Sequence, residues 1–501
     1  MTPEFPARLR RWRRERPELF ITGVFLLLAV ASLALLDLQV HAVEPWQELA
    51  RIGRGLLTPR WEDWPVLGRA LLNTVAFALC AVTIAVVTGG VLSLFYRLAP
   101  VRVACAAVRA VHEVFWGLLL MQFLGLSALT GVLAIAIPYS AIFARVFADI
   151  YAEQSPLPQQ VLARHRVGVS RWCYTVLAQG WWSLCSYVRY RFECALRASA
   201  ILGFIGLPTL GFHFETALKQ GSYSEAACLL WIFYLLIAGL RWWLQWRLLP
   251  VYCVVAFLVL PDSMPVSGSF LWEFLSRDIW PAALREGNLT AALRWYGTEL
   301  WSEALPAALQ TVALSLVALV ASGLLVLLLF PLAARPCAGR LAPGGHALLV
   351  FLRATPELML AFVFLLLFGP SALPAIIALA LHNGGLIAYL AAREADRLPL
   401  RPDAAGGANL WAYEMVPRLY PRISALLLYR WEVILRESAI LGILGVTTLG
   451  FYVDSAFAEF RMDRALLLLL VTAGLNIAVD ALSQRINRTL RHESAQSIPV
   501  R

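Results

Sequence analysis

Residues 190–212 of this chain read YRFECALRASAILGFIGLPTLGF, and residues 429–451 read YRWEVILRESAILGILGVTTLGF. The two stretches are identical at 15 of 23 positions, and the shared residues include charged side chains and glycines as well as apolar ones. Matches at the same spacing extend upstream, at the pairs Gly168/Gly407, Trp172/Trp411 and Tyr174/Tyr413. A match of this quality at a constant shift indicates that the chain contains two copies of one structural unit.

The composition of the 501 residues is that of a polytopic membrane protein. Hydrophobic residues make up 60% of the chain and charged residues 15%, whereas a soluble domain carries about 45–50% and about 25%. The apolar residues gather in runs, several of which reach the length of about 20 residues that lets a helix cross a bilayer. This pattern excludes a soluble enzyme with a large core.

The net charge of +10 has a distribution that favours membrane topology over nucleic-acid binding. Six arginines precede the first apolar run, between residues 8 and 16, and further arginines lie between the later runs. This is the positive-inside pattern of cytoplasmic loops. We therefore predict that the chain contacts membrane lipid and that it has no nucleic-acid partner.

These patterns predict an all-α polytopic membrane protein with two parallel-oriented repeats of about six transmembrane helices each. An even number of spans gives both repeats the same orientation, with a pseudo-twofold axis along the membrane normal and both termini in the cytoplasm. The predicted domains are a basic cytoplasmic N-terminus at 1–17, a first repeat at 18–247, a second repeat at 248–484 and a cytoplasmic tail at 485–501. The predicted spans lie near 18–38, 69–96, 104–124, 127–149, 183–211, 225–247, 248–261, 304–331, 346–368, 371–392, 422–450 and 464–483.

The eight cysteines predict neither a metal site nor a cofactor. They are scattered, form no C-x-x-C pair and lie mostly in apolar runs, where a cysteine acts as a small buried apolar side chain. No G-x-x-x-x-G-K-[ST] motif occurs, and Lys219 is the only lysine. This sequence therefore has no phosphate-cradling loop for ATP, and we predict that the chain is not itself an ATP-hydrolysing enzyme.

Charged residues inside the predicted spans are candidates for a transport pathway. Glu193 and Arg197 share one helix face because they lie four residues apart, and Glu432 and Arg436 repeat this arrangement. Each pair either neutralises itself and only pins its helix, or faces an aqueous route, because a lone charge is costly in lipid. Two arginines near a shared axis would suit an anion. The predicted pathway residues are Glu193, Arg197, Ser199, Glu432, Arg436, Ser438, Glu113, Glu357, His382 and Asn383.

His382 and Asn383 distinguish the two repeats, because the second repeat reads ALHNGG where the first reads AIPYSA. This asymmetry predicts that a ligand meets two unlike faces. An interhelical hydrogen bond is the alternative role for His382.

The duplicated phrase, and the run LRATPELMLAFVFLLLFG followed by ALALHNGGLIAYLA, resemble the signature of phosphonate-transport permeases. These proteins are the membrane subunits of binding-protein-dependent ABC importers. The second half of the chain resembles them along nearly its whole length and the first half more weakly, as expected for a tandem fusion of two permease units with a type I importer fold. The resemblance implies two ATP-binding subunits on the cytoplasmic side, a periplasmic substrate-binding protein and a location in the bacterial inner membrane.

Polar loops at 150–182 and 391–421 are the predicted contacts with the ATP-binding subunits. About thirty residues is long for a plain connector, which is the alternative. Importer permeases usually carry E-A-A-x-x-x-G here, but these loops read Leu162-Ala163-Arg164 and Arg401-Pro402-Asp403 and so lack the glutamate. The predicted coupling residues are Gly168, Trp172, Tyr174, Gly407, Trp411 and Tyr413.

The sequence thus predicts the permease subunit of an ATP-driven importer for phosphonate or a related phosphorus oxyanion. It would work by alternating access along the pseudo-twofold axis. The alternative is a secondary transporter of about twelve spans, driven by an ion gradient. The embedded glutamates fit that alternative in part, whereas the duplicated cytoplasmic loops do not.

Overall fold

The computed structural model describes residues 17–41, 44–161, 168–261, 268–404 and 406–496, and in these ranges every regular element is helical. The longer helices of the first half are α1 (Pro17–Leu33), α2 (Pro45–Leu57), α3 (Trp64–Leu94), α4 (Ala99–Ala110), α5 (Glu113–Leu124), α6 (Ala128–Ala152), α7 (Ala178–Ile201), α8 (Leu210–Lys219), α9 (Tyr223–Ala238) and α10 (Leu249–Val259). Those of the second half are α11 (Leu289–Glu299), α12 (Leu305–Ala333), α13 (Ala342–Ala354), α14 (Glu357–Phe368), α15 (Ala372–Ala395), α16 (Val416–Ile440), α17 (Leu449–Ala458) and α18 (Met462–Gln496). The predicted all-α fold is confirmed.

Several of these helices can cross a bilayer. In the described ranges, five are long and apolar enough by themselves: α3, α6, the stretch Leu289–Ala333, α15 and the apolar part of α18. Four bent helix pairs raise the number of candidate spans to at most nine, and α1, α9 and α10 are shorter apolar helices. The prediction of a polytopic membrane protein is confirmed, whereas the count of about six spans per repeat stays a prediction.

The internal repeat is visible in the bent pairs. Helices α4 and α5 meet at 91°, and their counterparts α13 and α14 meet at 92°. The helices that carry the duplicated phrase bend by 49° before α8 and by 45° before α17. The two copies of the sequence unit therefore break at equivalent positions, which supports the predicted duplication.

Two extended residues produce each of the sharp bends. Val111 and His112 have ψ angles of 133° and 150°, and Thr355 and Pro356 have ψ angles of 124° and 138°. An extended backbone cannot continue the helical hydrogen-bond ladder, and Pro356 also lacks an N–H. Each of the two spans predicted at these places is therefore divided into two helices.

The duplicated phrase ends in a turn that requires glycine. A Cβ added at Gly442 would lie 2.1 Å from the backbone nitrogen of Phe451, and one at Gly203 would meet the equivalent atom at 2.1 Å. Gly206 and Gly445 have φ angles of 95° and 86°, in the left-handed region that glycine adopts freely. The helix that carries the phrase breaks at this turn in both copies.

The chain folds into two compact units. One, here called the central unit, runs from Ala50 to Ile279. The other, here called the flanking unit, holds the described residues up to Leu49 and from Trp280 onward. The domain boundary predicted between residues 247 and 248 does not coincide with either edge of the central unit.

The first helix of each predicted repeat packs with the helices of the other repeat. In the flanking unit, α1 packs against α12 and α16, and the ring of Phe25 lies 5.1 Å from that of Trp431. In the central unit, α10 packs against α3, where Sγ of Cys253 lies 3.3 Å from Oγ1 of Thr83. Each compact unit is therefore assembled from both predicted repeats.

The predicted coupling loops are largely helical. From Gly168 the chain is helical through a π-helical turn at Cys173–Leu177 into α7. A π-helical turn at Leu410–Met415 leads in the same way into α16. The residues predicted to contact the ATP-binding subunits therefore lie at or just before the first turns of long helices.

Candidate functional site

A buried polar cluster lies where α14, α15 and α16 of the flanking unit meet, and we call it the Glu–His–Arg cluster. It consists of Glu357 at the start of α14, His382 and Asn383 on α15, and Arg430 and Glu437 on α16. Helix α15 is a candidate span about 36 Å long, and its two cluster residues lie near its middle. The cluster therefore lies near the middle of a candidate membrane span.

Arg430 joins the members of this cluster. Its Nε donates a hydrogen bond to Oδ1 of Asn383 at 2.8 Å, and its Nη2 donates to Oε1 of Glu437 at 3.4 Å. The amide of Asn383 donates to Oε2 of Glu437 at 3.0 Å. Only 14% of the Arg430 side chain and 8% of the Glu437 side chain are exposed. Opposite charges joined by a shared amide are an arrangement in which a protein interior tolerates ions.

His382 lies between a backbone carbonyl and a carboxylate. Its Nδ1 is 2.9 Å from the carbonyl oxygen of Thr355, and its Nε2 is 3.9 Å from Oε2 of Glu357. Because a carbonyl only accepts hydrogen bonds, Nδ1 carries the proton, and Nε2 is directed at the carboxylate. This is the interhelical hydrogen bond considered for His382.

Three members of the cluster have the donor set of a metal site. One ligand atom each from Glu357, His382 and Glu437 lies within 4.8 Å of the other two. A histidine whose Nδ1 donates to a carbonyl is oriented as metal-binding histidines usually are, although Arg430 already neutralises Glu437. The cysteine pattern could not indicate this group, because its three members are two glutamates and a histidine. They also lie on three separate helices.

The equivalent place in the central unit is aromatic. Arg191 donates from Nε to the hydroxyl of Tyr187 at 2.8 Å. Its guanidinium carbon lies 5.5 Å from the ring centre of Tyr187, 5.7 Å from that of Tyr139 and 5.8 Å from that of Tyr190. These distances are in the range of cation–π attraction. We call this group the Arg–Tyr cluster.

Each unit places one histidine against the equivalent glutamate, but from a different helix. In the central unit, Nε2 of His112 lies 3.6 Å from Oε2 of Glu113, at the bend between α4 and α5. In the flanking unit, the histidine comes from α15 and lies 3.9 Å from its glutamate. Histidine and proline replace each other between the repeats at two equivalent positions. The first repeat has His112 where the second has Pro356, and it has Pro138 where the second has His382. The imidazole–carboxylate pair is thus present in both units in spite of the sequence difference.

The remaining predicted pathway residues lie on α7 and α16. Nη2 of Arg197 lies 3.3 Å from Sγ of Cys194, and Arg197 and Glu193 are both half-buried. Glu432 and Arg436 are also half-buried, one turn apart on α16.

Both predicted serines are bonded to the backbone. Ser199 donates to the carbonyl of Thr74 at 2.9 Å, and Ser438 donates to the carbonyl of Leu435 at 2.7 Å. Both serine side chains are inaccessible to solvent. This geometry favours a packing role for the two residues over contact with a ligand.

The two predicted coupling tryptophans are held within their own units. The indole N–H of Trp411 donates to the carbonyl of Leu327 at 3.1 Å. The ring of Trp172 lies 5.1 Å from that of Tyr151. The adjacent motif residues Leu162-Ala163-Arg164 lie outside the described residues.

The neighbouring tyrosines point outward. Tyr174 is 78% exposed and Tyr413 is 81% exposed. Of the predicted glycines, Gly168 begins the short helix before Tyr174, and Gly407 has a φ of 66° just before the helical region that contains Tyr413. Among the predicted coupling residues, the tyrosines therefore offer the most surface to a partner.

Comparison with known proteins gives matches among phosphorus-oxyanion permeases. The chain is 27% identical over 478 residues to the phosphate-import permease protein PhnE of Mycolicibacterium smegmatis, which covers 87% of this chain and 88% of that protein. It is 29% identical over 145 residues to the phosphite transport system permease protein PtxC of Stutzerimonas stutzeri, which covers 28% of this chain and 53% of that protein. The predicted resemblance to phosphonate-type importer permeases is confirmed. No family model and no solved structure matches the chain.

The extent of these matches fits a doubled permease. The match to PhnE includes parts of both repeats because it covers 87% of the chain. The match to PtxC is 145 residues long and covers 53% of that protein. PtxC is therefore about half as long as this chain. The chain is therefore similar to one permease of its own length and to one of about half that length.

Sequence reasoning missed Arg191, Arg430 and Glu437. The two arginines occupy the same position in the duplicated phrase, which was the available signal. Glu437 stands where the first repeat has Ala198, so a search for shared polar residues passes over it. Its role becomes visible only when α15 and α16 are packed together.

Proposed function

We propose that the chain is the transmembrane subunit of an ATP-driven importer for phosphonate or a related phosphorus oxyanion. The observation that carries this proposal is the similarity to a phosphate-import permease along 87% of the chain. The phosphite permease PtxC supports the same ligand class, because phosphite, phosphate and phosphonates are all tetrahedral phosphorus oxyanions.

Partner subunits would supply the energy and the ligand. Two ATP-binding subunits would dock on the cytoplasmic side and hydrolyse ATP, since the chain has no phosphate-cradling loop of its own. The exposed Tyr174 and Tyr413 are the proposed contacts with them. A periplasmic binding protein would deliver the oxyanion from outside. The arginine-rich flanks support cytoplasmic termini in a bacterial inner membrane.

Transport would proceed by alternating access, with the two repeats moving about their pseudo-twofold axis. The Glu–His–Arg cluster and the Arg–Tyr cluster are polar groups in a region where lone charges are costly. Such groups usually mark a ligand pathway in membrane proteins, so each cluster is a candidate for the place where the oxyanion is bound. The half-buried Arg197 and Arg436 stay candidates for the same route.

The test is reconstitution of the chain in proteoliposomes with its ATP-binding subunits and binding protein. We expect accumulation of radiolabelled phosphate, phosphite or methylphosphonate that requires ATP and stops when the ATPase is inhibited with vanadate. Ionophores that collapse proton and sodium gradients should leave the rate unchanged. Accumulation that ignores ATP but stops with an ionophore would instead identify a secondary transporter.

A further inference from the structure

The two repeat-related arginines have different electrostatic surroundings, with carboxylates beside Arg430 and tyrosine rings beside Arg191. From this we infer that the transported oxyanion is bound by Arg191 of the central unit, whereas its counterpart Arg430 is neutralised by Glu437 and does not bind it. This inference rests on the proposed function and deepens it, because it assigns the ligand to one of two clusters that the duplication made equivalent.

Arg191 has free capacity to bind an anion. In the described part of the chain, the one hydrogen bond of its side chain runs from Nε to the hydroxyl of Tyr187. No carboxylate lies within ion-pair distance of its guanidinium in the described ranges. The N–H groups of its two terminal nitrogens form the planar fork that binds two oxygens of a phosphorus oxyanion.

The surroundings of Arg191 favour a bound anion over an empty site. Three tyrosine rings within 6 Å partly compensate the charge, but cation–π attraction does not replace an ion partner in a membrane. Tyrosine hydroxyls can also donate hydrogen bonds to a phosphoryl oxygen. The nearest equivalent of the acidic residues of the other cluster is Glu113, which is held against His112 at 3.6 Å.

Arg430 has less capacity to bind an anion, because part of its guanidinium is already engaged. Its Nε and Nη2 both donate to Asn383, and Nη2 also reaches Glu437 at 3.4 Å. Glu357 adds a second buried carboxylate in the same cluster. An oxyanion placed there would face two like charges at short range, which is unfavourable in a medium of low dielectric constant.

One substitution decides the contrast between the repeats. At the position of Glu437 the first repeat has Ala198, seven residues after Arg191 on the same helix. Two turns separate the arginine and the glutamate on α16 as well, and there the carboxylate reaches the guanidinium. A glutamate at 198 should therefore neutralise Arg191 in the way that Glu437 neutralises Arg430.

The experiment compares Ala198→Glu with Ala198→Gln, which have side chains of nearly equal size and differ in charge. Uptake of labelled phosphate, phosphite or methylphosphonate is measured in the reconstituted complex, at equal amounts of folded protein. We expect Ala198→Glu to take up the ligand at least 10-fold more slowly than Ala198→Gln. Equal rates for the two variants would overturn the inference, and slower uptake by Ala198→Gln would overturn it as well.

A second comparison does not depend on tolerance at position 198. Arg191→Gln should lose at least 10-fold in uptake, and Arg191→Lys, which keeps the charge without the fork, should raise KM at least 5-fold. The double variant Arg430→Gln/Glu437→Gln removes a pair that is neutral as a whole and should lose less than threefold. A larger loss in this double variant than in Arg191→Gln would assign the ligand to the other cluster.

The experiments distinguish a wrong transport function from a wrong assignment of the ligand to Arg191. If the unsubstituted complex transports none of the three oxyanions, the proposed function is wrong. If it transports one of them and Arg191→Gln keeps at least half of the rate, only the assignment to Arg191 is wrong.

Discussion

The close approach of backbones at Gly442 makes the substitution Gly442→Ala a quantitative test of the fold. A Cβ there would lie 2.1 Å from the backbone nitrogen of Phe451 and 2.5 Å from the backbone carbon of Gly450. Ordinary contacts of a Cβ begin at 3.4 Å, so the two segments would have to separate by about 1 Å. Neither opposing atom belongs to a side chain that could rotate away.

We estimate the cost from the energetics of overpacking. Inserting a methyl group into a packed interior typically costs about 1–3 kcal/mol, and a contact with backbone on both sides belongs at the upper end, at about 3 kcal/mol. For a unit of this size, 1 kcal/mol corresponds to about 2–4 °C in Tm. The variant should therefore melt about 6–12 °C below the unsubstituted protein.

The assay is thermal unfolding of the purified chain in nanodiscs, followed by tryptophan fluorescence. Gly474→Ala on α18 is the matched control, because nothing lies within 4 Å of its added Cβ. This control should melt at the same temperature or slightly higher, since alanine favours a helix over glycine. Gly203→Ala should repeat the loss in the central unit. A Tm for Gly442→Ala within 2 °C of the unsubstituted protein would refute the close packing of this turn.

Three further predictions test other parts of the structure. Glu437→Gln should destabilise the flanking unit by about 3 kcal/mol because it leaves Arg430 buried without its carboxylate. Adding Arg430→Gln should restore at least half of that loss in the same melting assay, and no restoration would show that the two residues are not coupled. A cysteine at Tyr413 should crosslink to a cysteine on the ATP-binding subunit, whereas one at the half-buried Trp411 should crosslink less; the reverse order would exclude the tyrosine as the contact. Phe25→Ala should cost about 3 kcal/mol because its ring packs on α16, and an unchanged Tm would place α1 elsewhere.

Much of this architecture could be predicted from local sequence. The duplicated phrase showed two copies of one unit, and the apolar runs indicated helices that cross a membrane. The turn at the end of the phrase also depends on local sequence, since Gly206 and Gly445 supply the positive φ that it needs. The sharp bend before Glu113 had no such signal, because Val111 and His112 are residues that a helix also accepts.

The candidate site was only partly predictable. Glu357, His382 and Asn383 were found because charged and amide side chains stand out in apolar runs. Their link to Arg430 and Glu437 could not be found, because these residues are 47 and 54 positions away from Asn383. Hydropathy reports on residues that are close together in the chain, and repeat comparison reports on positions that both repeats share. Glu437 is far from Asn383 in the chain, and the first repeat has Ala198 at its position.

The sequence by itself therefore determined the helical membrane class, the duplication and the positions of its glycine turns, because these depend on residues close together in the chain. The tertiary structure alone decided that α1 packs against α12 and α16 while α10 packs against α3. It alone decided which arginine is paired with a carboxylate and which is surrounded by tyrosines. These features depend on contacts between segments that are distant in the chain. There the side chains of one helix determine the charge and the packing volume around the side chains of another.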